Sequence, residues 1–184
     1  MKEIVLETER LKLRPLSAKD IEEVYEYNSD SEIRKYMYEL QTKPGEDFPK
    51  EKTIVFLEGC DEEWKKEEPS FYEFAVIEKI TGRLIGNICV YLEENRKSGE
   101  LGWTFNRKYH CKGYCTEAAQ GLKKICFETI KLESIYARCD ERNISSRRVM
   151  EKIGMKVEAE HLFRKYPNTG EESTEVRFRI IKGE

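Results

Sequence analysis

The stretch Tyr109-His110-Cys111-Lys112-Gly113-Tyr114-Cys115-Thr116-Glu117-Ala118-Ala119 constrains this chain more than any other. A strand-like run, Gly99-Glu100-Leu101-Gly102-Trp103-Thr104-Phe105, precedes it, and an amphipathic helical pattern follows. A glycine between a strand and a helix start lets the backbone turn sharply. The free amides of the turn and of the first helical turn then point outward together, which makes an anion site without positive side chains. The natural occupant is a phosphate of a nucleotide-containing cofactor, seated on the amides of residues 112–116.

Composition narrows the partners. The 184 residues suit one domain spanning 1–184. Charged residues make up 38% of the chain, yet the net charge is only -3. That is a mixed, solvated surface without a basic footprint, so nucleic acid is not an expected partner. No apolar run approaches membrane-spanning length, and Met1-Lys2-Glu3-Ile4-Val5 alternates charged and apolar residues without a signal-peptide core. The expectation is a cytoplasmic protein with no membrane partner; a homodimer stays open. Six cysteines, at 60, 89, 111, 115, 126 and 139, form no Cys-x-x-Cys pair and read as small buried residues or free thiols. His110, Cys111 and Cys115 fit zinc-ligand spacing loosely, but a second ligand pair is missing, since His161 and Cys139 stand alone. No metal is expected.

The hydrophobic pattern places the elements. Residues 10–16 alternate as a strand. Ser17, with Asp20 three residues on, opens a helix, and Ser31 a second helical piece through Tyr38. Residues 42–49 read as a loop, and 50–66 as a helix with Ile54, Phe56 or Leu57, and Trp64 on one side. Strands are predicted at 71–78, 83–92 and 99–106, a helix at 114–132, a strand at 134–139, a helix at 143–154 and two last strands at 155–166 and 172–181. Gly121 inside a helix is costly and predicts a close backbone contact there. Asn143 is a plausible cap and Gly154 a plausible C′ residue. The order β-α-α-α-β-β-β-α-β-α-β-β fits an α+β fold, a largely antiparallel sheet with one strand–helix–strand crossover.

Taken together, four separate motifs resemble the GNAT acyl-CoA N-acyltransferases, closest to the branch of the ribosomal-protein alanine N-acetyltransferases. They are Thr8-Glu9-Arg10-Leu11-Lys12-Leu13-Arg14-Pro15, Glu100-Leu101-Gly102-Trp103, Gly113-Tyr114-Cys115-Thr116-Glu117-Ala118, and Asn143-Ile144-Ser145-Ser146 with Met150-Glu151-Lys152-Ile153-Gly154-Met155. The resemblance runs over residues 7–181. It implies the GNAT fold: a mixed, mostly antiparallel seven-stranded sheet with flanking helices and a splayed strand pair that holds the cofactor. Two positions depart from the family. His110 stands where Gln or Arg usually opens the loop, and Cys115 where Gly or Ala usually follows the glycine. Both are compatible with phosphate binding by main-chain amides.

The resemblance implies transfer of an acetyl group from acetyl-CoA to a primary amine, a protein N-terminus or a small molecule, without an acetyl-enzyme. The strands over 99–106 and 134–139 would splay, and a backbone N–H near Trp103, Thr104 or Phe105 would polarise the thioester carbonyl. His110, Lys112, Gly113, Tyr114, Cys115 and Thr116 would line the diphosphate site, and Asn143 and Ser146 the pantetheine end. Ser146 is the candidate donor to the departing sulfur, although a serine in a first helical turn also reads as a cap. Glu100 is the candidate general base, directly or through water, although a strand glutamate also reads as a solvated side chain. The alternative function is a GNAT-fold module that binds CoA, as a sensor, with little or no turnover.

Overall fold

A computed structural model describes residues 4–43 and 45–183. Met1, Lys2 and Glu3, where the N-terminal alternation begins, lie outside it, as do Pro44 and Glu184. The elements are β1 (Leu6–Glu7), β2 (Leu11–Pro15), a 3₁₀ turn, α1 (Ile21–Asn28), α2 (Ser31–Arg34), α3 (Lys50–Lys65), β3 (Phe71–Glu78), β4 (Leu84–Leu92), β5 (Ser98–Phe105), α4 (Tyr114–Lys124), β6 (Ser134–Asp140), α5 (Ile144–Lys152), β7 (Lys156–Lys165) and β8 (Glu172–Ile181). The strands make one sheet in the order β1-β2-β3-β4-β5-β6-β8-β7. The only hydrogen-bonded parallel pair among them is β5–β6, joined by the crossover through α4; β6 and β7, joined through α5, also run parallel, with β8 between them.

Among the described residues the sheet has eight strands rather than the seven expected. The extra one, β1, is two residues long and pairs Leu6 with Leu13 and Glu7 with Lys12. Two residues carry no period to read. The reversal that creates the strand rests on Thr8, whose N–H bonds the Leu11 carbonyl at 2.9 Å.

Alternation along the strands separates two faces. On one, Leu11, Leu13, Phe74, Val76, Ile88, Leu101, Ile135 and Phe178 meet Ala118 and Leu122 of α4, Cys126 just beyond it and Met150 of α5 in the main core. On the other, Ala75 and Leu84 meet Val24, Tyr27, Leu57 and Cys60 of α1 and α3. Gly121 is explained by the first contact: a Cβ there would stand 2.9 Å from Leu6 Cδ2. The close approach is to a side chain of β1 rather than to backbone. Beyond Lys124 the helix widens into a π-helical segment, Ile125–Ile130, and stops at Lys131 in the left-handed region.

The second helical piece is shorter than its pattern, ending at Arg34 rather than Tyr38. The carbonyls that would continue it are taken by side chains: Gln41 Nε2 donates to the Lys35 carbonyl at 2.8 Å, and Arg164 Nη2 to that of Tyr36 at 3.4 Å. The segment becomes a strap tied to the β7–β8 hairpin, where Asn168 Nδ2 donates to the Glu39 carbonyl at 2.6 Å and Thr169 Oγ1 to Gln41 Oε1 at 2.6 Å.

A charged residue is buried at the centre of the second face. Glu73 is 1% exposed and accepts from Asn87 Nδ2 at 2.6 Å, while Tyr27 OH donates to Asn87 Oδ1 at 2.7 Å. Burial pushes the Glu73 carboxyl up to about 7, against hydrogen bonds from Asn87 and Cys89 that lower it. A glutamate in an unfolded chain titrates near ~4.3, so the folded state holds this proton more tightly. The stability this contributes is full below that value and is lost as the pH rises through about 7, amounting to roughly 4 kcal/mol. Glu73→Gln should therefore raise the urea midpoint at pH 8 far more than at pH 4.5. An equal effect at both values would show that the fold leaves this carboxyl's affinity for its proton unchanged.

Candidate active site

The site follows from one interruption in the sheet. β5 and β6 pair at Ser98↔Ser134, Gly99↔Ile135 and Glu100↔Tyr136, and then separate. β5 stays on β4 as far as Phe105, and β6 stays on β8 as far as Asp140. The inner edges over 101–105 and 137–140 therefore face an open wedge. Backbone direction alternates along β5. Ser98 and Asn106 bond toward β4, so Trp103 and Phe105 turn their N–H and C=O groups into the wedge, and Thr104 turns its own to Asn87. Of the three residues expected to offer backbone groups, Thr104 is thus committed to β4. The Phe105 carbonyl is also occupied, because His110 Nε2–H donates to it at 2.8 Å. His110 ties the loop to the strand end.

The loop itself has the expected shape. Gly113 sits at φ +81°, directly before α4. The first helical N–H to find a backbone acceptor is that of Glu117, which bonds the Gly113 carbonyl at 3.0 Å. The N–H groups of residues 112–116 have no acceptor among the described residues. Cys115 is turned inward, and burial pushes its thiol well above the ordinary range. Lys112 Nζ lies over the Tyr109 ring at 5.2 Å, and Tyr114 packs beside Tyr109 with ring centroids 6.2 Å apart. Thr116 is half-buried in the first turn.

Across the wedge stands α5. Asn143 Oδ1 accepts from the Ser146 N–H at 3.1 Å, which caps the helix and leaves Nδ2 without a partner among the described residues. Trp103 Nε1–H donates to Ser146 Oγ at 3.0 Å, reaching from the strand edge to the helix. That bond uses an acceptor lone pair of the hydroxyl and leaves its hydrogen free to donate. Glu100 is on the opposite side of the sheet from Trp103. Its two oxygens accept from Arg138 Nε at 3.0 Å and Nη2 at 2.8 Å. Ser146 and Glu100 therefore flank the wedge from opposite faces.

Two residues of the site escaped sequence reasoning. Arg138 lies on a strand whose apolar residues carried the reading. Trp103 was considered for its backbone alone. A lone glutamate inside the apolar run over 71–77 was the signal that could have drawn attention to Glu73. The thiols of Cys115 and Cys139 are poor nucleophiles, since burial pushes Cys139 up to about 12 as well. Among the described residues no group of three or more His, Cys, Asp or Glu is placed to hold a metal ion, and no helix is long and apolar enough to cross a membrane.

Comparison with known proteins bears on family and fold. The profile of the acetyltransferase (GNAT) domain matches residues 10–156. An uncharacterized N-acetyltransferase of Bacillus subtilis strain 168, YnaD, is 38% identical over 151 residues, 82% of each chain. The crystal structure of a GNAT-family acetyltransferase from Bacillus anthracis superposes with a TM-score of 0.81 at 34% identity, covering 98% of this chain and 100% of that one. A spermidine N-acetyltransferase from Vibrio cholerae, solved with CoA and spermine, shares the fold at a TM-score of 0.77 and 19% identity over 95% and 97% of the two chains. With the splayed strands, the glycine loop and four-fifths of its length matched, this chain belongs to the GNAT family of N-acetyltransferases.

Proposed function

We propose that this protein transfers an acetyl group directly from acetyl-CoA to a primary amine. The observation that carries the reading is the wedge, with free amides at one end and Ser146 and Glu100 on opposite faces. Acetyl-CoA supplies an acyl group activated as a thioester. The unpaired amides of residues 112–116 suit its diphosphate, and the open edge at Trp103 and Phe105 suits the amide groups of pantetheine. An N–H of that edge is a donor for oxyanion charge. The Ser146 hydroxyl can donate to a departing thiolate, and Glu100 can take a proton from an incoming ammonium on the other face. No nucleophile of the chain is required, so the amine attacks the thioester itself.

The bidentate hold of Arg138 on Glu100 favours one second reading. Both oxygens of Glu100 are engaged by one guanidinium, which must be shared or displaced before the carboxylate meets an ammonium, and that suits a module that binds CoA with little turnover. Release of free thiol from acetyl-CoA with a panel of polyamines, amino acids and peptides bearing free N-termini separates the two. Thiol release that depends on one amine class is expected, and Glu100→Gln should slow it. CoA binding with no release for any amine would favour the module. Mass spectrometry after mixing the protein with acetyl-CoA alone should find no acetyl adduct. A stoichiometric adduct on a cysteine, removed by amine, would overturn direct transfer.

A further inference from the structure

The turn before β2 reaches the cofactor loop from outside the wedge. Glu117, in the first turn of α4, receives the Arg10 N–H on Oε1 at 2.8 Å and Arg10 Nε on Oε2 at 2.6 Å, with Thr8 Oγ1 also on Oε1 at 2.6 Å. Arg10 Nη1 donates to the Lys112 carbonyl at 3.0 Å, and the guanidinium lies 4.5 Å over the Tyr114 ring. The Tyr114 hydroxyl is itself bonded to Glu78, whose other oxygen takes Thr81 Oγ1 at 2.7 Å. One side chain thus holds both sides of Gly113.

Each contact bears on anion binding. A planar trans peptide directs its C=O and N–H oppositely, so fixing the Lys112 carbonyl toward Arg10 fixes the Gly113 N–H away from it, toward the loop's open side. Glu117 is a carboxylate at a helix start, where it would compete with a phosphate for the free amides and repel its charge. Arg10 and Thr8 draw it aside and neutralise it, and these bonds outweigh burial to hold its carboxyl below the usual range. Arg10 Nη2 has no partner among the described residues and lies 3.4 Å from where a Gly113 Cβ would stand.

We propose that Arg10 is a positioning residue for the diphosphate site: it orients the Gly113 amide, removes Glu117 from the helix start and places a positive charge beside the loop. The inference rests on the acetyl-CoA reading. Pairs this exposed contribute little to stability, since Arg10 is 43% exposed, so the effect belongs to binding rather than folding.

Calorimetry with CoA tests it, alongside turnover of acetyl-pantetheine, a donor that lacks the diphosphate. Arg10→Met should weaken CoA binding by about ten- to a hundredfold. It should leave kcat/KM for acetyl-pantetheine within about twofold, because that donor never reaches the loop. Adding Glu117→Gln to Arg10→Met should recover part of the loss, and Arg10→Lys should show a smaller one, having charge but no fork. An unchanged CoA affinity in folded Arg10→Met would overturn the inference, as would equal losses for both donors. Should Arg10→Met not fold, Arg10→Lys decides by the same two readouts. A wild type that binds no CoA would remove the cofactor reading and this inference with it; wild-type binding with unaffected Arg10 variants removes this inference alone.

Discussion

Gly113→Val should weaken acetyl-CoA binding by about a hundredfold or more while leaving the protein folded. Gly113 occupies φ +81°, where an L residue is strained and a β-branched one most of all. The new Cβ would also stand 3.4 Å from Arg10 Nη2, with its methyls reaching further. The loop escapes both by rotating the peptide, and that rotation turns away the amides on which the phosphates are proposed to rest. The turn is at the surface, so the loss falls on binding more than on stability. Calorimetry with acetyl-CoA checks it, with Gly113→Ala as a milder companion. Full affinity in Gly113→Val would mean that the phosphates lie elsewhere.

Ser146→Ala should lower kcat by roughly ten- to a thousandfold with little change in acetyl-CoA affinity. The argument rests on what each atom of Ser146 already does. Its N–H is held by Asn143, so alanine keeps the helix start intact. Its oxygen accepts from the Trp103 indole, so its hydrogen is directed elsewhere. Removing the hydroxyl deletes a donor needed when negative charge gathers on sulfur, a moment that ground-state binding does not sample. Single-turnover measurement at saturating acetyl-CoA isolates that step. An unchanged rate would leave Ser146 as the indole's structural partner and nothing more.

Local rules account for most of what could be read before the structure. β3 and β8 run over 71–78 and 172–181 as their patterns predict, because alternation and turn residues are properties of adjacent positions. Gly113 and Gly154 both take positive φ at the expected junctions. The misreadings share a cause. The piece through Tyr38 has helical residues, yet distant side chains, Arg164 among them, claim its carbonyls. β1 is formed by pairing rather than by a run of its own.

The site divides along the same line. By itself the sequence determined the glycine loop and the cap at Asn143, because each is written within a few consecutive residues, while the candidacy of Glu100 and Ser146 came from the resemblance to a family. Tertiary structure alone decided that the wedge opens just after Glu100 and Tyr136, that the Trp103 indole meets Ser146, that Arg138 clamps Glu100, and that Arg10 reaches Glu117 across 107 positions. Those contacts form when strands and helices dock, and docking follows burial of the whole apolar face rather than any feature of the pairs themselves. A pattern reports which face a residue takes; only the packed fold selects its partner.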